Sequence, residues 1–193
     1  MRKEIVLLLG LFICTGISAQ TTPDWENPAV IGIHKEEYHS TLMLPSLKEN
    51  CKEVISLNGK WKFKWSPNPE SRPVDFYQPG FNADGWNPSA VPGTRQMQGY
   101  GKPIYTNITY PFQKDPPRVT GEPPRDYFSY ENRNPVGSYL TTFEVGGEVK
   151  DKQFYLYFEG VKSAMYVWVN GKKVGYSQNS MSPAEFDVTD LVK

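Results

Sequence analysis

The chain has 193 residues, of which 38% are hydrophobic and 14% aromatic. That length allows one sizeable core, so we expect about one domain. The 21 basic residues balance 21 acidic ones, which leaves no uniform field to attract nucleic acid or an anionic membrane. We therefore expect a globular protein with neither nucleic acid nor a membrane as a partner.

Residues 1–19 have the pattern of a secretory signal peptide. Arg2 and Lys3 give a charged start, residues 5–13 are apolar, and small residues end the segment at Ala19. An apolar run this short does not span a bilayer comfortably, which disfavours a retained anchor. We expect cleavage near Ala19 and export to the periplasm or the extracellular space.

Cys51 is the only cysteine left once residues 1–19 are removed. It can form no intramolecular disulfide and no cysteine-rich metal site. Because no histidine pattern accompanies it, we expect a small buried hydrophobe rather than a nucleophile.

Residues 20–53 form a Pro-rich, polar stretch without a sustained helical or strand period. This pattern predicts an extended N-terminal arm that wraps a body formed later in the chain. His34 and His39 are five residues apart, not the four that place two ligands on one helical face. We interpret both as solvated arm residues and expect no metal site there.

Residues 54–65 carry the clearest β signal. Residues 54–57 precede an Asn58-Gly59 turn, after which Trp61, Phe63 and Trp65 alternate with lysines. The pattern predicts a β-hairpin whose second strand buries its aromatic face and exposes the lysines. The many prolines and glycines of residues 66–92 favour a long surface loop, pinned by Phe81 and Trp86.

The last third of the chain is predicted to form several consecutive β-strands. Residues 138–145 alternate, residues 153–159 place Phe154, Leu156 and Phe158 on one face, and residues 165–169 lead through Asn170-Gly171 into residues 172–176. Residues 183–193 predict one more short turn or strand. No stretch beyond residue 19 has a convincing helical period. We predict an all-β jelly-roll β-sandwich of two sheets over residues 54–193, with sheet edges left open at the C-terminus, as in an incomplete domain.

Residues 99–111 combine turns with a polar, aromatic strand. Glycines and prolines bound the β-rich run 104–110, and period two places Tyr105, Asn107 and Thr109 on one face. Such a face suits a sugar, because an Asn amide both donates and accepts and a Tyr ring has an apolar body with a polar tip. An ordinary sheet surface explains the same residues, and these side chains alone leave both readings open.

Several sequence motifs indicate a family. The chain resembles the N-terminal part of the large β-galactosidases of glycoside hydrolase family 2. The resemblance covers nearly all of the chain after residue 19, and the Pro-Ile-Tyr-Thr-Asn-x-Thr-Tyr-Pro run is specific. It rests on Asp24-Trp25-Glu26-Asn27-Pro28, Ser56-Leu57-Asn58-Gly59-Lys60-Trp61-Lys62-Phe63, Val91-Pro92, Gln96-Met97-Gln98-Gly99-Tyr100, residues 103–111, Phe158-Glu159-Gly160-Val161, residues 168–171, Val174-Gly175-Tyr176-Ser177 and Glu185-Phe186-Asp187.

The resemblance implies a galactose-binding-domain-like jelly roll that reaches into the active site of a TIM-barrel catalytic domain of the same polypeptide. Asn107 matches the family Asn that touches the bound galactosyl group, and Tyr105 and Ile108 flank it, with a β-galactoside as the substrate. Both catalytic glutamates, and an Asp that helps bind sugar and sodium, are expected beyond Lys193. The resemblance thus implies Mg²⁺ and Na⁺ for the full enzyme, but no catalytic residue, metal ligand or cofactor within these 193 residues.

The resemblance also implies a homo-oligomer organised through the N-terminal arm. One departure concerns Arg95, which stands where family members often have Trp, so a stacking role is in doubt there. Glu159 and Glu185 are isolated acids with no partner pattern for catalysis. Asn107-Ile108-Thr109 fits the N-glycosylation pattern. We expect no modification there, because the resemblance implies that Asn107 is part of the buried sugar site. The alternative function is a stand-alone, non-catalytic carbohydrate-binding or interaction module.

Overall fold

A computed structural model describes residues 22–40, 51, 53–103, 124–126, 130–131, 134–147 and 149–192. Over these ranges the chain forms β-strands and short 3-10 helices, without an α-helix. The prediction of an all-β fold is therefore confirmed. None of the helices in these ranges has the length and apolar character needed to cross a membrane. The strands are β1 (Gly32–Ile33), β2 (Gly59–Ser66), β3 (Asn87–Val91), β4 (Val136–Leu140), β5 (Tyr155–Phe158), β6 (Met165–Val169), β7 (Lys172–Ser177) and β8 (Ala184–Asp187).

The strands pair antiparallel in three sheets where the sequence predicted two. Their orders are β1-β7-β6, β3-β2-β4 and β5-β8. Side chains of β6, β7 and β8 meet in one buried cluster, against which the β5 side chains pack, so two of the sheets form the layers of a sandwich. The cluster consists of Val167, Val174, Ala184, Phe186 and Val188, with Phe154, Leu156 and Phe158 packed against it as their alternation predicted.

β2 is the central strand of its sheet, and its two faces differ as predicted. The Phe63 side chain is only 1% exposed, while Lys60, Lys62 and Lys64 point to solvent. The predicted hairpin partner was wrong, because residues 54–57 form no strand and β2 pairs with β3 and β4 instead.

Local side-chain bonds explain why residues 54–57 do not pair. The Asn58 backbone N–H donates to Ser56 Oγ at 3.3 Å, and Trp61 Nε1 donates to the Leu57 carbonyl at 2.7 Å. Bonds of this kind compete with a sheet ladder for the same backbone groups.

β3 lies inside the stretch that the sequence predicted to be a surface loop, and that prediction was wrong at residues 87–91. Pro88 lacks an N–H, yet it fits because β3 is an edge strand with one paired side. Residues 76–86 do contain the aromatic anchor that was predicted. The Phe81 and Trp86 rings meet at 5.6 Å, and Tyr77 stacks on Trp168 of β6 with ring centroids 4.9 Å apart. The segment thereby ties the β2 sheet to the β7 sheet.

The predicted strand 138–145 is shorter in the structure, because β2 pairs with β4 only as far as Leu140. The Asn170-Gly171 hairpin is confirmed. Both residues have positive φ, 50° and 83°, as a type I′ turn requires. The strand predicted near the C-terminus is β8, which pairs with β5. Cys51 is free and half-buried.

The described residues 22–40 of the N-terminal stretch lie against the sandwich. Its β1 pairs with β7, and Gly175 of β7 makes room, since a Cβ there would collide with the Ile33 carbonyl and the Phe186 ring. Tyr166 Oη donates to Asp24 Oδ2 at 2.6 Å. Burial and the Asp24 carboxylate raise the pKa of Tyr166, so its hydroxyl remains a donor.

The far end of the arm is attached to β8 at Glu185. The Glu36 backbone N–H donates to the Glu185 carbonyl at 2.9 Å, and His39 Nε2 lies 2.6 Å from Glu185 Oε2. The hydrogen bond to Glu185, with help from the Ser40 carbonyl and the Glu36 charge, raises the pKa of His39 above its ordinary 6.5.

We predict that the attachment of residues 36–39 to β8 depends on pH. Because the pKa of His39 is raised in the folded chain, the contact of protonated His39 with Glu185 contributes its full stabilisation below about pH 6.5. That contribution is lost as the pH rises through the raised pKa. An NMR titration of the His39 ring should give a pKa above 6.5. Glu185→Gln should bring that pKa back toward its ordinary value. A pKa at or below 6.5 in the parent chain contradicts the prediction.

The free side of the edge strand β3 is covered by the Gln98 amide. Gln98 Oε1 accepts from the Ala90 N–H at 2.7 Å and from Ser89 Oγ at 3.1 Å, while Gln98 Nε2 donates to the Ala90 carbonyl at 3.2 Å. One side chain thus satisfies both backbone groups of Ala90, as a neighbouring strand would, and blocks that part of the edge.

Gln98→Glu should destabilise the fold by about 1 to 2 kcal/mol at pH 7, because the introduced carboxylate cannot donate to the Ala90 carbonyl. At pH 4 the loss should shrink, since a protonated carboxyl can donate again. Urea unfolding of both proteins at the two pH values measures this. Gln96→Glu, in the same turn, is the control and should change stability by less than about 0.5 kcal/mol. Equal losses for Gln98→Glu at the two pH values would refute the bond assignment.

Candidate functional site

The predicted sugar contacts Asn107, Tyr105 and Ile108 lie outside the described residues, as does the rest of the predicted strand 104–110. The structure does describe the chain up to Pro103 and again at residues 124–126, 130–131 and from 134 onward. The described residues that flank this segment along the chain are residues 95–103 before it and residues 124–126, 130–131 and 134–140 after it.

A short 3-10 helix, Arg95–Gln98, brings the chain to the segment. Gly99 ends the helix in the left-handed conformation, with φ at 90°, which a residue without Cβ adopts at no steric cost. The Gly99 N–H donates to the Gln96 carbonyl at 3.2 Å, and the Tyr100 N–H donates to the Arg95 carbonyl at 3.1 Å. The Gly at this position thus turns the chain back toward the sheet.

Tyr100 then packs on the inner face of β2. Its ring meets the Phe63 ring edge-on at 4.7 Å, and Tyr139 of β4 meets Phe63 at 4.6 Å. Gly101, with φ at 77°, passes close to Trp65, since a Cβ on it would lie 3.6 Å from Trp65 Nε1. That indole nitrogen is buried and has no hydrogen-bond partner within the described ranges.

Two contacts join the residues before position 104 to residues 131 and 135. Arg95 Nη1 donates to the Pro135 carbonyl at 3.0 Å, and Lys102 Nζ lies 3.5 Å from Glu131 Oε2. The guanidinium is partly buried, and the loss of hydration lowers the pKa of Arg95, although Tyr139 opposes the shift. Burial likewise raises the pKa of Tyr139. Arg95, Lys102, Glu131 and Pro135 are called the stem from here on.

Arg95, which stands where the resemblance leads us to expect Trp, forms part of the stem. Its described hydrogen bond goes to a main-chain carbonyl 40 residues further along the chain. The sequence showed the glycine turn and the Tyr100 aromatic, but it held no signal for the contact between Arg95 and Pro135 or for the Gln98 amide. Only a prediction of which strands pair would have brought these residues together.

Glu159 and Glu185, the two isolated acids that the sequence analysis considered, both lie in the described part of the chain. Among the described residues, no group of three or more His, Cys, Asp or Glu side chains could hold a metal ion. Glu185 is engaged by His39, and Glu159 is an exposed residue directly after β5. A retaining glycosidase needs two carboxyl groups about 5 Å apart in a pocket. Glu185 is instead an attachment point of the N-terminal arm on β8.

Comparison with known proteins gives the family. A family model described as "Glycosyl hydrolases family 2, sugar binding domain" matches residues 54–193. A "Beta-galactosidase" of Priestia megaterium is 39% identical over 180 residues, which cover 89% of this chain and 17% of that protein. A "Beta-galactosidase" of Halalkalibacterium halodurans is 46% identical over 138 residues, covering 69% of this chain and 13% of that protein.

Among solved structures, a Bifidobacterium dentium beta-glucuronidase complexed with coumarin-3-O-glucuronide is similar over 71% of this chain and 17% of its own, at 23% identity and a TM-score of 0.45. The chain spans less than a fifth of the length of these three proteins. The matched region 54–193 covers well over half of the chain and contains β2 to β8. The chain therefore belongs to glycosyl hydrolase family 2 and carries the sugar binding domain of that family.

Proposed function

We propose that this chain is the sugar-binding part of an exported β-galactosidase, in which the chemistry is done by a catalytic domain encoded further along the same polypeptide. The reaction is hydrolysis of terminal β-D-galactosyl residues by the retaining, double-displacement route. One observation carries the proposal: the sugar-binding family model covers residues 54–193, and proteins 39% and 46% identical to this chain are named beta-galactosidases.

Asn107 is the proposed contact to the galactosyl group, flanked by Tyr105 and Ile108. An Asn amide can accept a hydrogen bond from one sugar hydroxyl and donate to another, which fixes the orientation of the ring. The described flank supports a role at this place, because the stem and the Tyr100–Phe63 contact hold the chain at Pro103, four residues before Asn107.

The test is activity on a nitrophenyl β-galactoside. The 193-residue chain alone should show no turnover, whereas the full polypeptide should hydrolyse the substrate. In the full polypeptide, Asn107→Ala should weaken transition-state binding by about 1 to 3 kcal/mol, the loss expected for one buried hydrogen-bonding group. A kcat/KM equal to that of the parent would remove Asn107 from the site. A stop codon directly after Lys193 would instead favour the non-catalytic binding module.

Export and assembly complete the proposal. The charged start, apolar run and small residues of positions 1–19 support cleavage near Ala19 and a periplasmic or extracellular location. Determining the N-terminal residue of the mature protein tests this. The Asp24-Trp25-Glu26-Asn27-Pro28 arm motif supports a homo-oligomer, which light scattering on the full polypeptide measures. Mg²⁺ and Na⁺ belong to the proposal for the full enzyme alone.

A further inference from the structure

The chain contains two Asn-Gly dipeptides, Asn58-Gly59 and Asn170-Gly171, whose structural environments differ. Asn-Gly is the dipeptide most prone to spontaneous deamidation. The backbone nitrogen of Gly attacks Cγ of the Asn side chain, a C–N bond forms, and ammonia leaves. Water then opens the cyclic imide to Asp or to isoAsp. Gly favours the attack because it has no Cβ to obstruct the approach.

The reaction requires freedom of movement at both reacting groups. The Gly nitrogen and the Asn Cγ must approach each other to about 3 Å, so the Asn side chain has to rotate toward the next residue while the backbone deforms. Hydrogen bonds that fix the side-chain amide or the surrounding turn therefore slow the reaction. Solvent exposure does not distinguish the two sites, because Asn58 and Asn170 are both exposed.

Asn170 is restrained at its side chain and in its backbone. Its Nδ2 donates to the Leu191 carbonyl at 2.8 Å. The turn joins the paired strands β6 and β7, and Gly171 lies so close to Pro79 that a Cβ on it would come within 2.7 Å of Pro79 Cδ. Rotation of the Asn170 amide toward Gly171 would break the bond to Leu191, so the fold opposes the attack at this site.

Asn58 lacks both restraints. Within the described part of the chain its side-chain amide has no hydrogen-bond partner, whereas its backbone N–H donates to Ser56 Oγ. Residues 54–57 before it form no strand. Gly59 is the first residue of β2 and lies opposite Val91, the last residue of β3. Because the end of a strand ladder opens locally at little cost in free energy, the Gly59 nitrogen becomes available for attack.

We propose that Asn58 is a site of spontaneous deamidation in the folded protein and that the fold protects Asn170 from the same reaction. The product places a carboxylate directly before β2 and, in isoAsp, one additional carbon in the backbone. The change falls beside the hydrogen bond from Trp61 Nε1 to the Leu57 carbonyl and leaves the β6–β7 hairpin intact. The inference is independent of the proposed function, since it concerns no sugar contact.

The test is a time course on the purified full-length protein in mildly alkaline buffer, in which the attacking backbone amide is deprotonated more readily. Trypsin cuts at lysines on both sides of each dipeptide and yields peptides 53–60 and 163–172, each with a single Asn. Mass spectrometry of the two peptides measures the replacement of the side-chain amide by a carboxyl group. In the folded protein Asn58 should convert at least about fivefold faster than Asn170, as expected when one hydrogen bond restrains Asn170.

The same time course in concentrated guanidinium chloride is the control, because it removes the fold and keeps the sequence. Asn170 should then convert faster than in the folded protein and at a rate similar to that of Asn58. The inference is overturned if Asn170 converts as fast as Asn58 in the folded protein, or if Asn58 stays unchanged there while the unfolded chain reacts. It is also overturned if the ratio of the two rates is the same with and without denaturant, since the flanking sequence then causes the difference.

Discussion

The packing around Phe63 is the interaction on which the described structure most depends. The ring lies at the centre of β2, between Tyr100 and Tyr139, and it is almost fully buried. Gly137 of β4 allows this packing, since a Cβ there would come within 2.8 Å of both Phe63 and Tyr139. Burying a ring of this size contributes about 2 to 3 kcal/mol of hydrophobic free energy. The same contact holds Tyr100, and with it the chain that leads to the candidate sugar site.

The arm is a second case in which a weak local element is held by distant partners. Two residues of β1 cannot form a stable strand by themselves. They remain paired with β7 because side chains on either side secure the arm, Asp24 through Tyr166 and His39 through Glu185. Gln178 adds to this by donating from its backbone N–H to the Ile31 carbonyl and from Nε2 to Asn27 O at 3.1 Å. The arm thereby adds an edge strand to the β7 sheet and is fixed to the domain on both sides of that strand.

Three acidic side chains of the described residues stabilise the fold. Asp24 accepts from the Tyr166 hydroxyl, Glu185 contacts the His39 ring, and Asp187 accepts from the Thr189 N–H. These contacts join the arm to β6 and β8 and hold the turn after β8.

Local sequence patterns determined which strand faces are buried and where one hairpin turns. Period-two alternation set which face of β2 and β5 is buried, and Asn170-Gly171 set the β6–β7 hairpin, because both depend only on neighbouring residues. The resemblance motifs were likewise visible in the sequence, and they led to the family. Tertiary structure alone decided the partners: β3 formed where prolines predicted a loop, because an edge strand tolerates Pro88. It also placed Arg95 on Pro135, since a contact across 40 residues depends on how the intervening strands pair and leaves no periodic trace in the sequence.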